Sequence, residues 1–332
     1  MIQISPETQL FIREHSSDDV RTLALQAKKY PDINMPTAIT QIAGRQVAAE
    51  KIPSWREIEE IWYPKHLSLE QCSSEITARY KARLFQGDSL TDLTGGFGID
   101  CSFLATGFKS ATYVERQEEL CEIAAHNFPI LNLNHINVKN EDGVSYPQAM
   151  SPVDCIFLDP ARRNEHGGKT VAISDCEPDV AELEELLLNK AGQVMVKLSP
   201  MLDLSLALKE LQHVQKVHII SANNECKELL LILGQASVEE ISIHCVNLPT
   251  KGIQEEQHFV FTREQEQCSE CNYTNVLENY LYEPNASLLK AGAFRSIASA
   301  FPVKKLHPNS HLYTSDVLVE SFPGRAFHII SQ

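Results

Sequence analysis

The chain contains the stretch Leu90-Thr91-Asp92-Leu93-Thr94-Gly95-Gly96-Phe97-Gly98-Ile99-Asp100. This pattern predicts a short strand, a glycine-rich turn and the first turn of a helix. Glycines in such a turn let the backbone approach a ligand closely, and the free N–H groups at a helix start can face a negative group. A glycine turn that only joins a strand to a helix has the same pattern. This stretch alone therefore does not identify a binding site.

Short apolar runs alternate with longer amphipathic runs from residue 90 to about residue 234. The predicted strands are residues 90–93, 111–114, 136–138, 153–158 and 194–198. Helical patterns between most of them predict a parallel sheet that is covered on both faces. Two further runs, 217–220 and 229–233, are separated by too few residues for a crossover helix, so we expect them to pair antiparallel. The sequence therefore predicts a doubly wound α/β sheet of about seven strands with an antiparallel last strand.

Composition divides the chain into four segments. They are a helical N-terminal domain at 1–86, the α/β core at 87–235, a small β-rich insert at 236–283 and a small α+β domain at 284–332. The last two differ in charge, because 236–283 carries two basic and nine acidic residues, whereas 284–332 carries five basic and two acidic residues. The C-terminal segment is thus a local basic region with a net charge of +3.

Within the N-terminal segment, Ser54 is expected to cap a helix that runs from Trp55 to Trp62. Trp55, Ile58 and Trp62 share one face of that helix. The aromatic pair has the spacing to stack on a base, but we favour a buried core stripe because tryptophan is highly buried on average.

The overall composition is that of an acidic globular protein. The chain has 332 residues, with 29 basic and 44 acidic side chains and a formal net charge of −15. It contains no run of about 18 uncharged apolar residues, which argues against a membrane span, and its start lacks the pattern of a secretory signal. Nine cysteines, an odd number, indicate buried thiols in a reducing cytoplasm. The acidic balance disfavours a surface that grips nucleic acid throughout.

The glycine turn departs from the dinucleotide-binding pattern G-x-G-x-x-G. Gly96 and Gly98 fill its first two positions, but Cys101 stands at the third. Asp92, four residues before Gly96, instead completes the pattern D-x-x-x-G-x-G. With this pattern the region resembles class I S-adenosylmethionine-dependent methyltransferases, which implies their Rossmann-like fold and S-adenosylmethionine as the cofactor. A nicotinamide-dependent oxidoreductase is the alternative from another enzyme class.

Three later acids agree with this resemblance in order and spacing. Glu115 ends the next predicted strand, where a carboxylate can accept hydrogen bonds from both ribose hydroxyls of a nucleoside. Asp142 ends the third strand and matches the family's adenine-binding acid, and Asp159 ends the fourth. One such acid can be an ordinary helix cap, but four in sequence favour a cofactor site. The resemblance implies the cofactor-binding residues Asp92, Thr94, Gly95, Gly96, Phe97, Gly98, Asp100, Glu115, Arg116, Asp142, Gly143 and Asp159.

Upstream, residues 69–75 precede the helix that leads to the first strand. This segment resembles one that closes over the methionine end of the cofactor in several RNA and DNA methyltransferases, and the resemblance adds Gln71 and Ser73 to the binding residues. A plain serine cap on the following helix explains the segment equally well. Both interpretations stay open at this point.

The fourth strand runs into Asp159-Pro160-Ala161-Arg162, which resembles the family's fourth motif beside the transferable methyl group. Amino-group methyltransferases carry D/N-P-P-aromatic at this motif, so the Ala-Arg pair argues against methylation of a base amino group. Enzymes that attack a pyrimidine carbon carry a nucleophilic cysteine after the next strand, where this chain has Ser199. We therefore expect direct methyl transfer, with Asp159, Pro160 and Arg162 as catalytic residues.

The C-terminal segment, with residues 282–294 and 322–325, resembles the THUMP-like domain of a group of bacterial methyltransferases. In that group a small ferredoxin-like insert precedes the domain, here at 236–283. THUMP domains are associated with RNA modification, so the resemblance implies RNA (tRNA or rRNA) as the substrate. A small-molecule or protein methyltransferase, or a nucleotide- or RNA-binding module without activity, is the competing interpretation.

Basic side chains are the expected contacts to such a substrate, because arginine and lysine hold phosphate groups well. The predicted contacts are Arg163, Lys197, Lys290, Lys304, Lys305 and Arg325. Lys197 has an alternative interpretation as a strand-end lysine that extends toward solvent.

Cys268 and Cys271 have the spacing of half a zinc site. The sequence offers no second pair at suitable spacing, and nearby histidines such as His258 form no ligand pattern. A coincidence in a surface loop is the interpretation we favour, so we expect neither a metal nor a membrane partner.

Overall fold

The computed structural model describes residues 4–162, 172–249 and 255–330, and at Arg162 it describes the backbone alone. The chain divides into two compact units, Met1–Leu158 and Asp159–Gln332. Short 3-10 helices lie at Ala27–Lys29, Ala105–Gly107 and Ile173–Asp175. None of the helices in the described residues has the length and apolar character that crossing a membrane requires.

The first unit begins with a helical region, as the sequence predicts. Its helices are α1 (Pro6–Glu14), α2 (Val20–Leu25), α3 (Met35–Lys51), α4 (Pro53–Arg56), α5 (His66–Gln71) and α6 (Glu75–Ala82). Side chains cap several of them. Oδ1 of Asp19, for example, accepts a 2.8 Å hydrogen bond from the N–H of Thr22, which satisfies one of the unpaired donors at the start of α2.

The predicted helix from Trp55 to Trp62 is wrong, because α4 covers only its beginning. Two side-chain amides bind the backbone of Trp62 and Tyr63, at the end of the predicted helix. Asn127 accepts from the N–H of Trp62 and donates to its carbonyl oxygen, both at 2.9 Å. Gln41 makes the same pair of bonds with Tyr63, also at 2.9 Å. These tertiary bonds satisfy backbone groups that a helix would otherwise pair, so they override the local helical pattern.

The two tryptophans also have different surroundings. Trp55 is buried, and its ring packs edge-on against Phe97 with 5.2 Å between the centroids. Trp62 is only partly buried and stacks on His126 at 3.6 Å. The core around Trp55 comprises Ala48, Ile52, Trp55, Ile61, Tyr63, Leu69, Ala78, Phe97, Ile99 and Ile123. Because this core includes residues of the glycine turn and of the helix after it, the helical region anchors that turn.

Four parallel strands form the sheet of the first unit, in the order β4-β1-β2-β3. The strands are β1 (Gly87–Asp92), β2 (Phe108–Val114), β3 (Ile136–Lys139) and β4 (Val153–Leu158), and the helices between them are α7 (Ile99–Leu104), α8 (Glu118–Ile130) and α9 (Tyr146–Ala149). Asp92 is in register with Tyr113 of β2 and with Phe157 of β4. The carboxyl ends of these three strands therefore lie level, at the edge where open α/β sheets bind ligands.

The second unit contains a mixed sheet in the order β11-β10-β8-β9-β7. Its strands are β7 (Ala191–Leu198), β8 (Val214–Ala222), β9 (Glu225–Gly234), β10 (Ser242–Leu248) and β11 (Gln257–Phe261). The short strands β5 (Ala161–Arg162) and β6 (Cys176–Glu177) pair with each other and precede this sheet in the chain. The helices are α10 (Val180–Lys190) and α11 (Leu204–Glu210). Strand β9 is antiparallel to both β7 and β8, which confirms the predicted antiparallel strand. Asn223 and Asn224 adopt φ values of 56° and 57° in the β8–β9 turn, as a two-residue hairpin requires.

The first two strands of the stretch 236–283 extend this sheet. Its strand β10 pairs parallel with β8, and β11 pairs antiparallel with β10. A separate four-stranded antiparallel sheet, in the order β13-β14-β12-β15, follows toward the C-terminus. The remaining elements are α12 (Arg263–Cys268), β12 (Tyr280–Pro284), α13 (Ala286–Ala291), α14 (Arg295–Ala300), β13 (Lys304–Lys305), β14 (Tyr313–Ser315) and β15 (Gly324–His328).

Candidate active site

The glycine turn after β1 is shaped by the neighbouring strand β2. A Cβ atom at Gly95 would lie 2.3 Å from the ring of Tyr113, so no larger residue fits there without displacement. The Tyr113 hydroxyl donates a 2.5 Å hydrogen bond to the carbonyl oxygen of Gly96. Gly96 and Gly98 have φ values of 53° and 85°, which L side chains rarely adopt. Burial, with Glu115 nearby, raises the pKa of Tyr113 well above its usual range, so the hydroxyl keeps its proton.

Glu115 directly follows β2 and is only 8% exposed. Its Oε2 accepts a 2.9 Å hydrogen bond from the N–H of Gly96. Its Oε1 accepts a 2.8 Å hydrogen bond from the N–H of Gln117. The carboxylate is thus oriented by the glycine turn on one side and by the start of α8 on the other. Each carboxylate oxygen can accept more than one hydrogen bond, so both retain capacity for a ligand.

Asp92, the last residue of β1, is 1% exposed. Its Oδ1 accepts a 3.0 Å hydrogen bond from the N–H of Thr94. Cys101, at the position of a third glycine in a dinucleotide site, is fully buried. Burial, with the carboxylates of Asp92 and Asp100, raises its pKa well above the usual range. The thiol is therefore protonated and fills core space rather than serving as a nucleophile.

Ser73 and Asp100, both predicted from the sequence, lie in contact. The Ser73 hydroxyl donates a 2.7 Å hydrogen bond to Oδ2 of Asp100. Lys81, which sequence reasoning missed, completes the cluster. Its Nζ donates a 3.0 Å hydrogen bond to the Ser73 hydroxyl and lies 3.0 Å from Oδ1 of Asp100. The available signal was a lysine on the same helix face as Ala78, which is buried as well.

The loop after β3 carries Asp142 and Gly143. Asp142 is exposed, and its Oδ2 accepts a 3.2 Å hydrogen bond from the N–H of Ser145. A Cβ atom at Gly143 would lie 2.0 Å from the carbonyl oxygen of Leu93, so the loops after β1 and β3 touch through their backbones. Asn140, a second residue that the sequence analysis missed, donates 3.0 Å and 3.1 Å hydrogen bonds to the carbonyl oxygens of Glu115 and Arg116.

Besides Asp142, two further predicted cofactor residues are exposed. Gln71 is the last residue of α5, and Arg116 follows Glu115 in the chain. Phe97 is 4% exposed and belongs to the core. Its side chain therefore anchors the glycine turn, to which Phe97 belongs, by packing into this core.

In the second unit, Asp159 and Lys197 form an ion pair. Nζ of Lys197 lies 2.5 Å from Oδ2 of Asp159, and the Lys197 residue is 9% exposed. Lys197 therefore contacts the predicted catalytic acid instead of extending into solvent. Pro160 is buried, and the backbone of Arg162 pairs with Cys176. Arg163 lies outside the described residues, as does the side chain of Arg162.

The basic residues of the C-terminal segment are engaged within the protein. Lys305 is 1% exposed, and its Nζ donates to the carbonyl oxygens of His307 and Pro308 at 2.8 Å and 2.7 Å, and also to that of Ser310. Burial lowers its pKa from the usual value. Lys305 was expected to contact the substrate at the surface; its ammonium group is instead bound by a loop of its own segment.

The other three predicted contacts lie nearer the surface. Lys304 and Arg325 form ion pairs with Glu278 and Glu283, respectively. Their side chains remain 48% and 58% exposed. Lys290 donates a 2.8 Å hydrogen bond to the carbonyl oxygen of Leu202.

Cys268 is exposed and Cys271 is partly buried. Across the residues that the structure describes, no group of three or more His, Cys, Asp or Glu side chains is arranged to hold a metal ion.

The fold has counterparts among solved structures. The crystal structure of a "putative methyltransferase" from Porphyromonas gingivalis W83 has 34% sequence identity and a TM-score of 0.87, and the match covers 100% of this chain and 84% of that chain. An rRNA methylase from Streptococcus thermophilus matches with 16% identity and a TM-score of 0.35, over 48% of this chain and 95% of that chain. TrmK from M. capricolum, in complex with S-adenosyl-homocysteine, matches with 12% identity and a TM-score of 0.38, over 48% and 68%.

At such low TM-scores the last two matches carry no argument about this chain. A comparison with curated protein sequences gave no match. A family model of a ferredoxin-like domain matches residues 280–323. A ferredoxin-like domain is therefore present in the C-terminal segment. The insert that the sequence analysis expected at 236–283 stays a prediction. The THUMP-like assignment and the four domain boundaries stay predictions.

The strand order, the glycine turn and the acids at the strand ends define a Rossmann-like α/β protein with the sheet of class I methyltransferases, a helical N-terminal region and a small α+β C-terminal region. The chain belongs to the family of the Porphyromonas gingivalis protein, with which it aligns over its whole length.

Proposed function

We propose that the chain is an S-adenosylmethionine-dependent methyltransferase. The observation that carries the proposal is the position of Glu115. Its buried carboxylate is held between the N–H groups of Gly96 and Gln117 at the end of β2. A carboxylate that is fixed at this strand end can accept hydrogen bonds from both ribose hydroxyls of a nucleoside. Membership in the Porphyromonas gingivalis family supports the same activity.

The residues present fit this cofactor better than a dinucleotide. The dinucleotide pattern has a third glycine or alanine, which allows close packing of the helix against the strand, whereas this chain has the buried Cys101 at that position. In the proposed arrangement, Asp92 and the turn Gly95-Gly96-Phe97-Gly98 hold the methionine end. Glu115 holds the ribose, and the Asp142–Gly143 loop holds the adenine. Gln71 and Ser73 close over the methionine end, while Thr94, Asp100 and Arg116 support the same site.

S-adenosylmethionine supplies an electrophilic methyl group on a sulfonium when it is bound. In the proposal, Asp159 and the Pro160 turn orient the nucleophile of the substrate, and Arg162 assists. Lys197 holds the Asp159 carboxylate in one orientation through their 2.5 Å contact. Orientation is the main contribution of these residues, because a well-placed nucleophile removes much of the entropic cost of the reaction. No covalent enzyme intermediate forms.

We further propose RNA as the substrate. The support is the net charge of +3 over residues 284–332, in a chain whose total is −15. Lys304 and Arg325 are the contacts that we retain, because their own side chains are 48% and 58% exposed and so can reach a phosphate group. Lys290 and Arg163 stay in the proposal as secondary contacts. Lys305 is withdrawn because its ammonium group is buried.

Two experiments test these proposals separately. Calorimetry with S-adenosylhomocysteine and with NAD tests the cofactor, and binding of NAD alone would overturn the methyltransferase assignment. Transfer of tritiated methyl groups from S-adenosylmethionine into RNA from a strain that lacks this gene tests the substrate, with wild-type RNA as the control. Incorporation into a protein or metabolite fraction, and not into the RNA of the deletion strain, would replace RNA by that class of substrate.

A further inference from the structure

Lys81 is a buried lysine outside the set of residues that the sequence assigned to the cofactor site. Its side chain is 0% exposed. It contacts Asp100 and Ser73, which also bond to each other, so the three side chains form a closed triangle with sides of 3.0, 3.0 and 2.7 Å. In this triangle the lysine donates to the serine, and the serine donates to the carboxylate, so the donor and acceptor roles are consistent.

The triangle joins parts of the first unit that are distant in sequence. Ser73 lies between α5 and α6, in the segment 69–75. Lys81 belongs to α6, and Asp100 lies in the first turn of α7, two residues after Gly98. The contact therefore ties the segment 69–75 to the helix that follows the glycine turn.

A stability role alone is a poor explanation for this arrangement. Replacement of a buried ion pair by apolar residues of similar volume is often neutral or stabilising. A directional polar contact does, however, fix the relative position of two segments, since its partners must meet at one distance and one angle. The location of the triangle beside the glycine turn makes that position relevant to ligand binding.

We propose that Lys81 is a positioning residue that holds the segment 69–75 against the glycine turn, and that this link sets the affinity for the amino-acid end of the cofactor. The inference rests on the proposed function. It also decides between the two interpretations of Ser73, because a plain helix cap does not involve Asp100. The N-cap residue of α6 is Ser74, the neighbour of Ser73, and its side chain makes no capping hydrogen bond.

The test compares two ligands that differ only at the amino-acid end. S-adenosylhomocysteine carries the homocysteine group, whereas adenosine keeps the base and the ribose alone. Lys81→Met and Ser73→Ala are expected to weaken binding of S-adenosylhomocysteine at least tenfold in calorimetry and to leave adenosine binding unchanged. Arg79→Met is the matched control, since Arg79 is an exposed basic residue of the same helix with a pair to Glu75.

The outcomes separate this inference from the proposed function. If the wild-type protein binds neither ligand, the proposed function fails. If the wild-type protein binds both, and the variants lose affinity for both equally or for neither, the positioning role of Lys81 is overturned. Ser73→Ala removes a single oxygen and keeps the test valid if Lys81→Met does not fold. The double variant is expected to lose no more affinity than Lys81→Met alone, because both changes break one link.

Discussion

The N–H of Gly96 donates a 2.9 Å hydrogen bond to Oε2 of Glu115, so the glycine turn and the end of β2 are held together by one backbone group and one carboxylate. The bond joins two positions that are 19 residues apart in the chain. The hydrogen bond fixes the two positions relative to each other, so a ligand that contacts one of them is also positioned relative to the other.

Replacement of Glu115 by glutamine is expected to weaken S-adenosylhomocysteine binding by about 10- to 150-fold, because hydrogen bonds to a charged group contribute about 1.5–3 kcal/mol. The amide keeps the size of the side chain but turns one acceptor into a donor. Calorimetry measures the change. Glu118→Gln, an exposed acid at the start of α8, is the control and is expected to bind normally. Equal affinities in the two variants would remove Glu115 from the ribose-binding role.

Replacement of Gly143 by alanine is expected to lower the free energy of unfolding by about 1–3 kcal/mol, as for other insertions into close-packed sites. The new Cβ would stand 2.0 Å from the carbonyl oxygen of Leu93, and a backbone atom cannot rotate away as a side chain can. Urea unfolding measures the loss, with the exposed neighbour Glu141→Ala as the control. If both variants unfold at the same urea concentration, the loops after β1 and β3 do not constrain each other.

Tyr63 and Tyr282 provide a matched pair of buried tyrosines. No hydrogen bond of normal geometry reaches the Tyr63 hydroxyl among the described residues, although Arg45 lies near enough to interact with it. The Tyr282 hydroxyl, in contrast, contacts Ser315, Val317 and Val319 at 2.8, 3.2 and 2.9 Å. A buried polar group without a partner costs about 1–3 kcal/mol. Tyr63→Phe is thus expected to raise the thermal midpoint or leave it unchanged, and Tyr282→Phe to lower it. The opposite order in thermal unfolding would contradict these assignments.

The stability of the protein is expected to fall between pH 6.5 and pH 5 because of His218. Burial, and next the nearby His244, His258 and Lys216, lower its pKa from 6.5 to about 3. Its ring stacks on that of His244 with 4.4 Å between the centroids. In this pH range the unfolded chain binds a proton that the folded chain does not, so stability decreases as the pH falls, by about 2 kcal/mol for this residue at pH 5.

Urea unfolding at pH 7.5 and pH 5 measures this dependence. The variant His218→Phe keeps an aromatic ring but cannot bind a proton, so its stability should change less between the two pH values. His66→Gln, at a histidine whose side chain is 63% exposed, serves as the control and should behave as the wild type does. A dependence that is identical in His218→Phe and the wild type would assign the effect to other groups.

The sequence predicted those parts of the site whose determinants are local. Asp92 and Glu115 each follow their own apolar strand, and parallel strands bring their carboxyl ends to one edge whatever the rest of the chain does. The antiparallel strand β9 was predictable for a similar reason, since the short connection leaves no room for a crossover.

Contacts between distant segments were not predictable in this way. The sequence around Lys81 does not indicate its partners, because Ser73 and Asp100 come into contact with it only when α6 and α7 pack together. The sequence pattern after Trp55 predicts a helix, but in the structure the side-chain amides of Gln41 and Asn127 bind the backbone of this segment. From the sequence, Lys305 is expected to be a charged surface residue. In the structure, its ammonium group instead donates hydrogen bonds to backbone carbonyl oxygens of a nearby loop.

The close contact between Gly95 and the ring of Tyr113 has a consequence for how this family can vary. The two positions are not independent, because a side chain at 95 and an aromatic ring at 113 would occupy the same volume. Substitution at 95 becomes permissible only after the strand residue has become smaller, so the order of the two changes matters along an evolutionary path. A library randomised at both positions should return glycine at 95 with every large residue at 113, and alanine or serine at 95 only with small ones. The side chain at position 113 of β2 therefore limits which residues the glycine turn can contain.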